Sequence, residues 1–167
     1  MIKKKLWAPW RMEYITKAIK EDKEYLFCRV LKQKASKDNL VVYTSKHSMV
    51  MMNRYPYNNG HLMVIPKKHT KNLDGLSKEQ SNDLHETLRL AVKVVYHAYD
   101  PQGCNIGMNM GRAAGAGIDA HIHYHIVPRW NGDTNFMPII GELKVISEHL
   151  LNTYDRIKRA FKEVVAK

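Results

Sequence analysis

With 167 residues, 44% of them hydrophobic and 26% charged, the chain has the composition of a globular protein and enough length to bury a core. Its 27 lysines and arginines outnumber 16 acids, and the net charge of +11 points to an anionic partner (nucleotide, nucleic acid or anionic membrane) without choosing among them. Two isolated cysteines, Cys28 and Cys104, argue against a disulfide framework and for a cytoplasmic location.

The opening Met-Ile-Lys-Lys-Lys-Leu-Trp has the charge of a signal peptide, but Pro9, Arg11 and Glu13 arrive before a useful apolar run. No stretch approaches the roughly 18 apolar residues of a membrane span, so no membrane partner is expected. Residues 1–24 read as an irregular arm that packs Trp7, Trp10 and Tyr14 onto the core. Short β-like runs follow at 39–44 and 48–53. Asn58-Asn59-Gly60 is a strong turn signal, and 61–66 reads as a buried strand. Ser77 with Gln80 has the form of a capping box, and Leu84, Leu88, Ala91, Val92, Val95 and Tyr99 then fall on one helical face. Asp100-Pro101-Gln102-Gly103 ends that helix. Residues 104–110 read as a strand, 111–117 as a Gly/Ala loop and 121–127 as a strand. Ile146, Leu150, Tyr154, Ile157, Phe161 and Val164 mark a second amphipathic helix, set at 142–165. Core packing is reason enough for both helical faces. The whole of 1–167 is expected to form one domain.

The chemistry concentrates in His121-Ile122-His123-Tyr124-His125. Side chains alternate across a strand, so all three imidazoles should share one face while Ile122, Tyr124 and Ile126 face the other way. Imidazole titrates near neutrality and can act as nucleophile, acid or base. Several rings together separate those roles, because one charged ring discourages its neighbour from protonating. The loop from Gly111 to Gly117 lets a phosphate approach the backbone closely, and its N–H groups can form an anion nest. Two other readings stand beside this one. A His-x-His pair is also a zinc arrangement, although no acid or cysteine stands at a ligand-like offset. The basic surface would also suit a non-catalytic nucleotide- or RNA-binding module. Against that module, the basic residues are not interleaved with aromatics, so no nucleic-acid partner is expected.

The motif His121-Ile-His-Tyr-His125-Ile-Val resembles the signature of the histidine triad (HIT) superfamily. Gly60-His61-Leu-Met-Val-Ile-Pro-Lys-Lys-His69 is similar to that family's upstream histidine strand. Leu6–Tyr14 and Pro128–Phe136 resemble a bacterial subgroup that includes HIT-type diadenosine tetraphosphate phosphorylases. The resemblance implies an α+β fold, with an antiparallel sheet of about five strands, a long central helix and a C-terminal helix, assembled as a homodimer. It implies a nucleotidyl hydrolase or transferase that cleaves dinucleoside polyphosphates through a covalent nucleotidyl-histidine on His123, with water or phosphate as acceptor. His125 would contact the phosphate and assist the leaving oxygen, and His121 and His61 would orient the row. Asn109 and the backbone of Gly115, Ala116 and Gly117 would hold phosphate oxygens, and Asn53 the ribose. The nearest alternative within the family is hydrolysis of an adenosine phosphoramidate. The resemblance implies an AMP-containing nucleotide as substrate, bound with or without magnesium, and no required cofactor. Two departures stand out. Gly117 occupies a place where many members carry a hydroxyl or amide donor. Tyr25-Leu-Phe-Cys28 keeps only half of the Cys-x-x-Cys that helps hold a structural zinc in many bacterial members, so no metal is expected.

Overall fold

The computed structural model describes residues 26–133 and 148–166. Trp7, Trp10, Tyr14 and the expected arm therefore lie outside the described residues, as do Tyr25 and the first part of the expected C-terminal helix.

Five strands form one antiparallel sheet: β1 (Val41–Thr44), β2 (Ser48–Met52), β3 (Leu62–Pro66), β4 (Gly103–Met108) and β5 (Tyr124–Arg129), in the order β1-β2-β3-β5-β4. β2 and β3 are apolar along nearly their whole length and buried on both faces, because each face of the sheet is covered. One face carries two long helices, α2 (Lys78–Tyr99) and α3 (Leu150–Val165). Leu84, Leu88, Ala91, Val94 and Val95 of α2 pack with Tyr154, Ile157 and Phe161 of α3 onto Val50, Val64 and Ile126. The opposite face carries a short helix, α1 (Leu26–Leu31), whose Phe27 and Val30 meet Met49, Met51, Met63 and Ile65. Among the described residues no helix is long and apolar enough to cross a membrane.

The Ser77 capping box is present on both sides: the Ser77 hydroxyl accepts from the Gln80 N–H, and the Gln80 side-chain Oε1 accepts from the Ser77 N–H. Asp100 ends α2 in a left-handed conformation, its N–H donating to the Tyr96 carbonyl.

Element boundaries differ from the sequence reading in physically telling ways. The first strand begins at Val41 rather than 39, since Leu40 has φ 60° and Asn39 is spent on a turn with Ser36. The last strand runs Tyr124–Arg129, not 121–127. Its two neighbours both stop pairing at Tyr124, opposite Val64 and Met108, so residues 121–123 continue beyond the ladder. Alternating apolarity in the sequence cannot distinguish a paired strand from its unpaired extension.

Candidate active site

The triad lies where β5 leaves the sheet, on the face covered by α1. Met63 pairs with His125, so both side chains emerge on that face, while Ile126 and partly buried Tyr124 pack with the α2–α3 core. The His123 and His125 rings stand edge to face, 4.8 Å between centroids. Phe27 of α1 sets its ring against both His121 (5.4 Å) and His123 (5.2 Å). The imidazole row expected from the sequence therefore exists, although only His125 of the three belongs to the paired strand.

The hydrogen bonds fix the tautomer of each ring. A carbonyl can only accept, so His123 carries its proton on Nδ1 and donates to the His121 carbonyl at 2.9 Å. Its Nε2 then holds a lone pair. His121 likewise donates Nε2–H to the Pro66 carbonyl at 2.8 Å, leaving Nδ1 as its bare nitrogen. A backbone N–H can only donate, so the Tyr57 N–H, 3.0 Å from His61 Nδ1, makes that nitrogen the acceptor. Neutral His61 must then carry its proton on Nε2 and donate it to His125 Nδ1 at 3.0 Å. His125, in turn, presents Nε2–H outward. The row thus sets the His123 Nε2 lone pair beside the His125 donor, while the His121 lone pair faces Cys28.

Burial keeps His121, His123 and His125 neutral. It pushes His125 down to about 4, with the neighbouring His123 adding to the effect. It also pushes His121 down to about 4, with His69 and His123 contributing and the Pro66 carbonyl opposing. His123 is lowered by burial as well, against the opposing bond to the His121 carbonyl. In the unfolded chain such rings titrate near 6.5. Between about pH 6.5 and 4 the unfolded state therefore binds more protons than the native one, and stability falls as the pH falls through that window. Urea unfolding should show a lower midpoint at pH 5 than at pH 7. Equal midpoints would remove the argument that these rings are held neutral.

The remaining expected residues divide. Asn109 and His123 each lie one residue past the last β4–β5 pair, Met108 with Tyr124, which places them side by side at the end of the ladder. Gly115 lies beside Asn109: a β-carbon added there would come within 3.9 Å of Asn109 Nδ2. The loop itself closes as a single 3-10 turn over Arg112–Ala114, with Gly111 at φ +79° and Gly115 at φ +88°. In this conformation the Gly115 N–H donates to Arg112 and the Ala116 N–H to Gly111, so two of the three expected phosphate donors point into the loop. The sequence reading counted glycines and could not see that the turn uses its own N–H groups. Asn53 stands at the end of β2, where its N–H donates to the His61 carbonyl and its side-chain oxygen accepts from the Tyr55 N–H. That Asx turn is what the structure shows for Asn53.

A family model described as the HIT domain matches residues 34–132. The AP-4-A phosphorylase of Mycobacterium tuberculosis is 37% identical over 155 residues, covering 89% of this chain and 80% of that protein. This chain belongs to the histidine triad (HIT) family. The bis(5'-nucleosyl)-tetraphosphatase [asymmetrical] of Schizosaccharomyces pombe is 32% identical over 115 residues, 68% of this chain and 63% of that one. Among solved structures, a Zn-bound histidine triad family protein from Mycobacterium smegmatis shares the fold, with TM-score 0.66 at 22% identity, covering 84% of this chain and 94% of that one. A histidine triad nucleotide-binding protein from Sulfolobus tokodaii gives TM-score 0.65 at 27% identity, covering 84% and 91%.

This HIT protein also assembles a group that the sequence reading did not. Cys28 Sγ lies 3.3 Å from His69 Nδ1 and 3.9 Å from the bare His121 Nδ1, and all three atoms fall within 4.8 Å of one another. Ligand atoms around a tetrahedral zinc stand about 3.3–3.6 Å apart, so the Cys28–His69 pair already has the spacing of two corners and His121 would have to close in to take a third. Neither His123 nor His125 belongs to this group, so the His-x-His zinc arrangement weighed from the sequence is not the one the fold presents among the described residues. Phe27, Tyr57 and His69 also touch the row, and no local spacing in the sequence ties any of them to it.

Proposed function

We propose that this HIT protein cleaves dinucleoside polyphosphates of the diadenosine tetraphosphate kind. The lone pair of His123 Nε2 attacks the α-phosphorus, an N–P bond forms, the bridging P–O bond breaks, and its electrons leave on the polyphosphate oxygen. Water or inorganic phosphate then takes the nucleotidyl group and frees His123. The observation that carries this reading is the Nδ1–H bond to the His121 carbonyl, which aims an unprotonated nitrogen out of a buried ring. The relatives named as an AP-4-A phosphorylase and as a bis(5'-nucleosyl)-tetraphosphatase support the substrate class.

The row also favours this class over an adenosine phosphoramidate. His61 holds its only proton on the bond to His125, and its Nδ1 is capped by the Tyr57 N–H, so it has no spare proton to relay. His125 Nε2–H then stabilises a leaving oxygen by hydrogen bonding rather than by full transfer. A polyphosphate departs readily as an anion, whereas an amine leaving group needs the proton itself.

Around this centre Asn109 and the Gly117 N–H would hold phosphate oxygens and Asn53 the ribose. Magnesium would travel with the substrate, and the bond changes need no cofactor. Cys28, His69 and His121 would hold a zinc ion, in keeping with the Zn-bound neighbour, and the ion would supply a structural crosslink. A second copy pairing along the edge strand β4, where Ile106 is exposed, would give a homodimer with a continuous sheet. The setting would be the cytoplasm, with neither membrane nor nucleic acid as partner.

The test is product analysis with diadenosine tetraphosphate. ATP plus ADP in the presence of phosphate identifies phosphorolysis, and ATP plus AMP identifies hydrolysis. Cleavage of adenosine phosphoramidate with neither result would overturn the assignment. A parallel arm after dialysis against a chelator separates the roles of metal: turnover by the folded, stripped protein keeps any ion structural.

A further inference from the structure

The turn between β2 and β3 brings Tyr57 to the histidine row twice. Its backbone N–H sets the His61 tautomer, and its ring lies 4.7 Å from the His61 ring and 5.8 Å from the His125 ring, tilted 34° and 35° to them. Tyr57 remains 47% exposed, so core burial does not account for where the ring sits. The turn holding it is braced at both ends. The Asn53 side chain caps the Tyr55 N–H at the entry. At the exit the Asn58 amide donates to the Pro128 carbonyl and to Asp133, while the Asn58 carbonyl accepts from the His61 N–H. These bonds tie the turn to the end of β5, the strand that carries His125.

We propose that Tyr57 is a positioning residue for the leaving side of the row: its backbone N–H fixes the His61 tautomer, and its ring covers the His61–His125 hydrogen bond and so holds His125 in the tautomer that leaves Nε2–H directed at the leaving oxygen. The physical reason is competition with water. The bond between the two rings is 3.0 Å long and joins two groups that water would also bind. An aromatic cover excludes that water and strengthens the bond by lowering the local dielectric. Met63 opposite His125 on β3, and the His123 ring beside it, close other sides of the pair. The catalytic part of this inference rests on the proposed function, while the tautomer part does not.

The experiment compares Tyr57→Phe and Tyr57→Ala with the parent protein by two readouts. The first is the histidine ring nitrogen spectrum, which distinguishes Nδ1–H from Nε2–H tautomers directly. The second is steady-state cleavage of diadenosine tetraphosphate. In the parent and in Tyr57→Phe, His61 and His125 should each show one Nε2–H form, with kcat within about twofold. In Tyr57→Ala the backbone N–H should keep His61 in its Nε2–H form while His125 shows mixed or exchanging tautomers, and kcat should fall by about tenfold or more at nearly unchanged KM and melting temperature. An unchanged His125 ring spectrum in Tyr57→Ala would overturn the proposal, whatever the rate. So would a loss in Tyr57→Phe equal to that in Tyr57→Ala, because the hydroxyl rather than the ring would then be responsible. If the parent cleaves no dinucleotide, the proposed function fails and the ring spectra still decide whether Tyr57 orders the pair.

Discussion

His123→Ala will abolish turnover, lowering kcat by about 10⁴-fold or more, while AMP still binds within a few-fold of the parent affinity. The size follows from what the substitution removes. Covalent catalysis splits one difficult displacement into two easier ones, and losing the nucleophile leaves only positioning and electrostatic stabilisation of a direct attack by water. Among the described residues the geometry supplies no substitute nitrogen. His121 has its Nε2–H on the Pro66 carbonyl and its bare Nδ1 turned toward Cys28 and His69. His125 has its Nδ1 engaged by His61 and offers a proton rather than a lone pair. The contacts expected to bind nucleotide come from Asn53, Asn109 and the glycine loop, and the substitution leaves all of these groups in the chain. The hole it leaves lies beside Phe27 at the base of the row, so exogenous imidazole should restore part of the rate. Substantial activity in the purified variant, or loss of nucleotide affinity in parallel with the rate, would show that His123 is not the attacking group.

The sequence made the sheet, the long helix and the row itself legible, and each for a local reason. Ser77 and Gln80 cap their helix with contacts three residues apart, and the alternation around His121–His125 is a property of five consecutive residues. What it concealed depends on distance along the chain. Cys28, His69 and His121 come from α1, the stretch after β3 and the approach to β5, and nothing short-range joins them. Tyr57 lies just before the Asn58-Asn59-Gly60 turn signal and carries no signal of its own, because its ring position is set by bonds from Asn53 and Asn58 to neighbouring elements. The glycine loop was legible only as composition. Its composition suits a phosphate cradle, yet in this conformation two of its N–H groups are used within the loop. Composition reports what a backbone can adopt; the hydrogen bonds report what it has spent.

Gly60→Ala should cost about 3 kcal/mol of stability, for two separable reasons. Gly60 has φ +74°, in the left-handed region where a β-carbon costs about 1–2 kcal/mol. An alanine β-carbon would also stand 2.8 Å from Tyr99 Cε2 and 3.3 Å from Pro128 Cγ. Tyr99 cannot simply swing aside. Its hydroxyl donates to Glu148 at 2.9 Å, the Arg156 guanidinium lies 5.0 Å from its ring centroid, and Trp130 meets it edge to face. Burial first, with Glu148 adding, raises the Tyr99 phenol well above its ordinary range, so it stays protonated and keeps that bond. For a chain of this length the loss corresponds to a drop in Tm of about 6–12 °C. Pairing Gly60→Ala with Tyr99→Leu isolates the collision: if it carries part of the cost, the double variant recovers that part and the backbone part remains. Because Gly60 immediately precedes His61 and closes the turn bearing Tyr57, the same variant should lose activity even well below its melting temperature. A Gly60→Ala protein as stable and as active as the parent would show that the turn tolerates a second geometry, and the braced path from Tyr57 to His125 would lose its support.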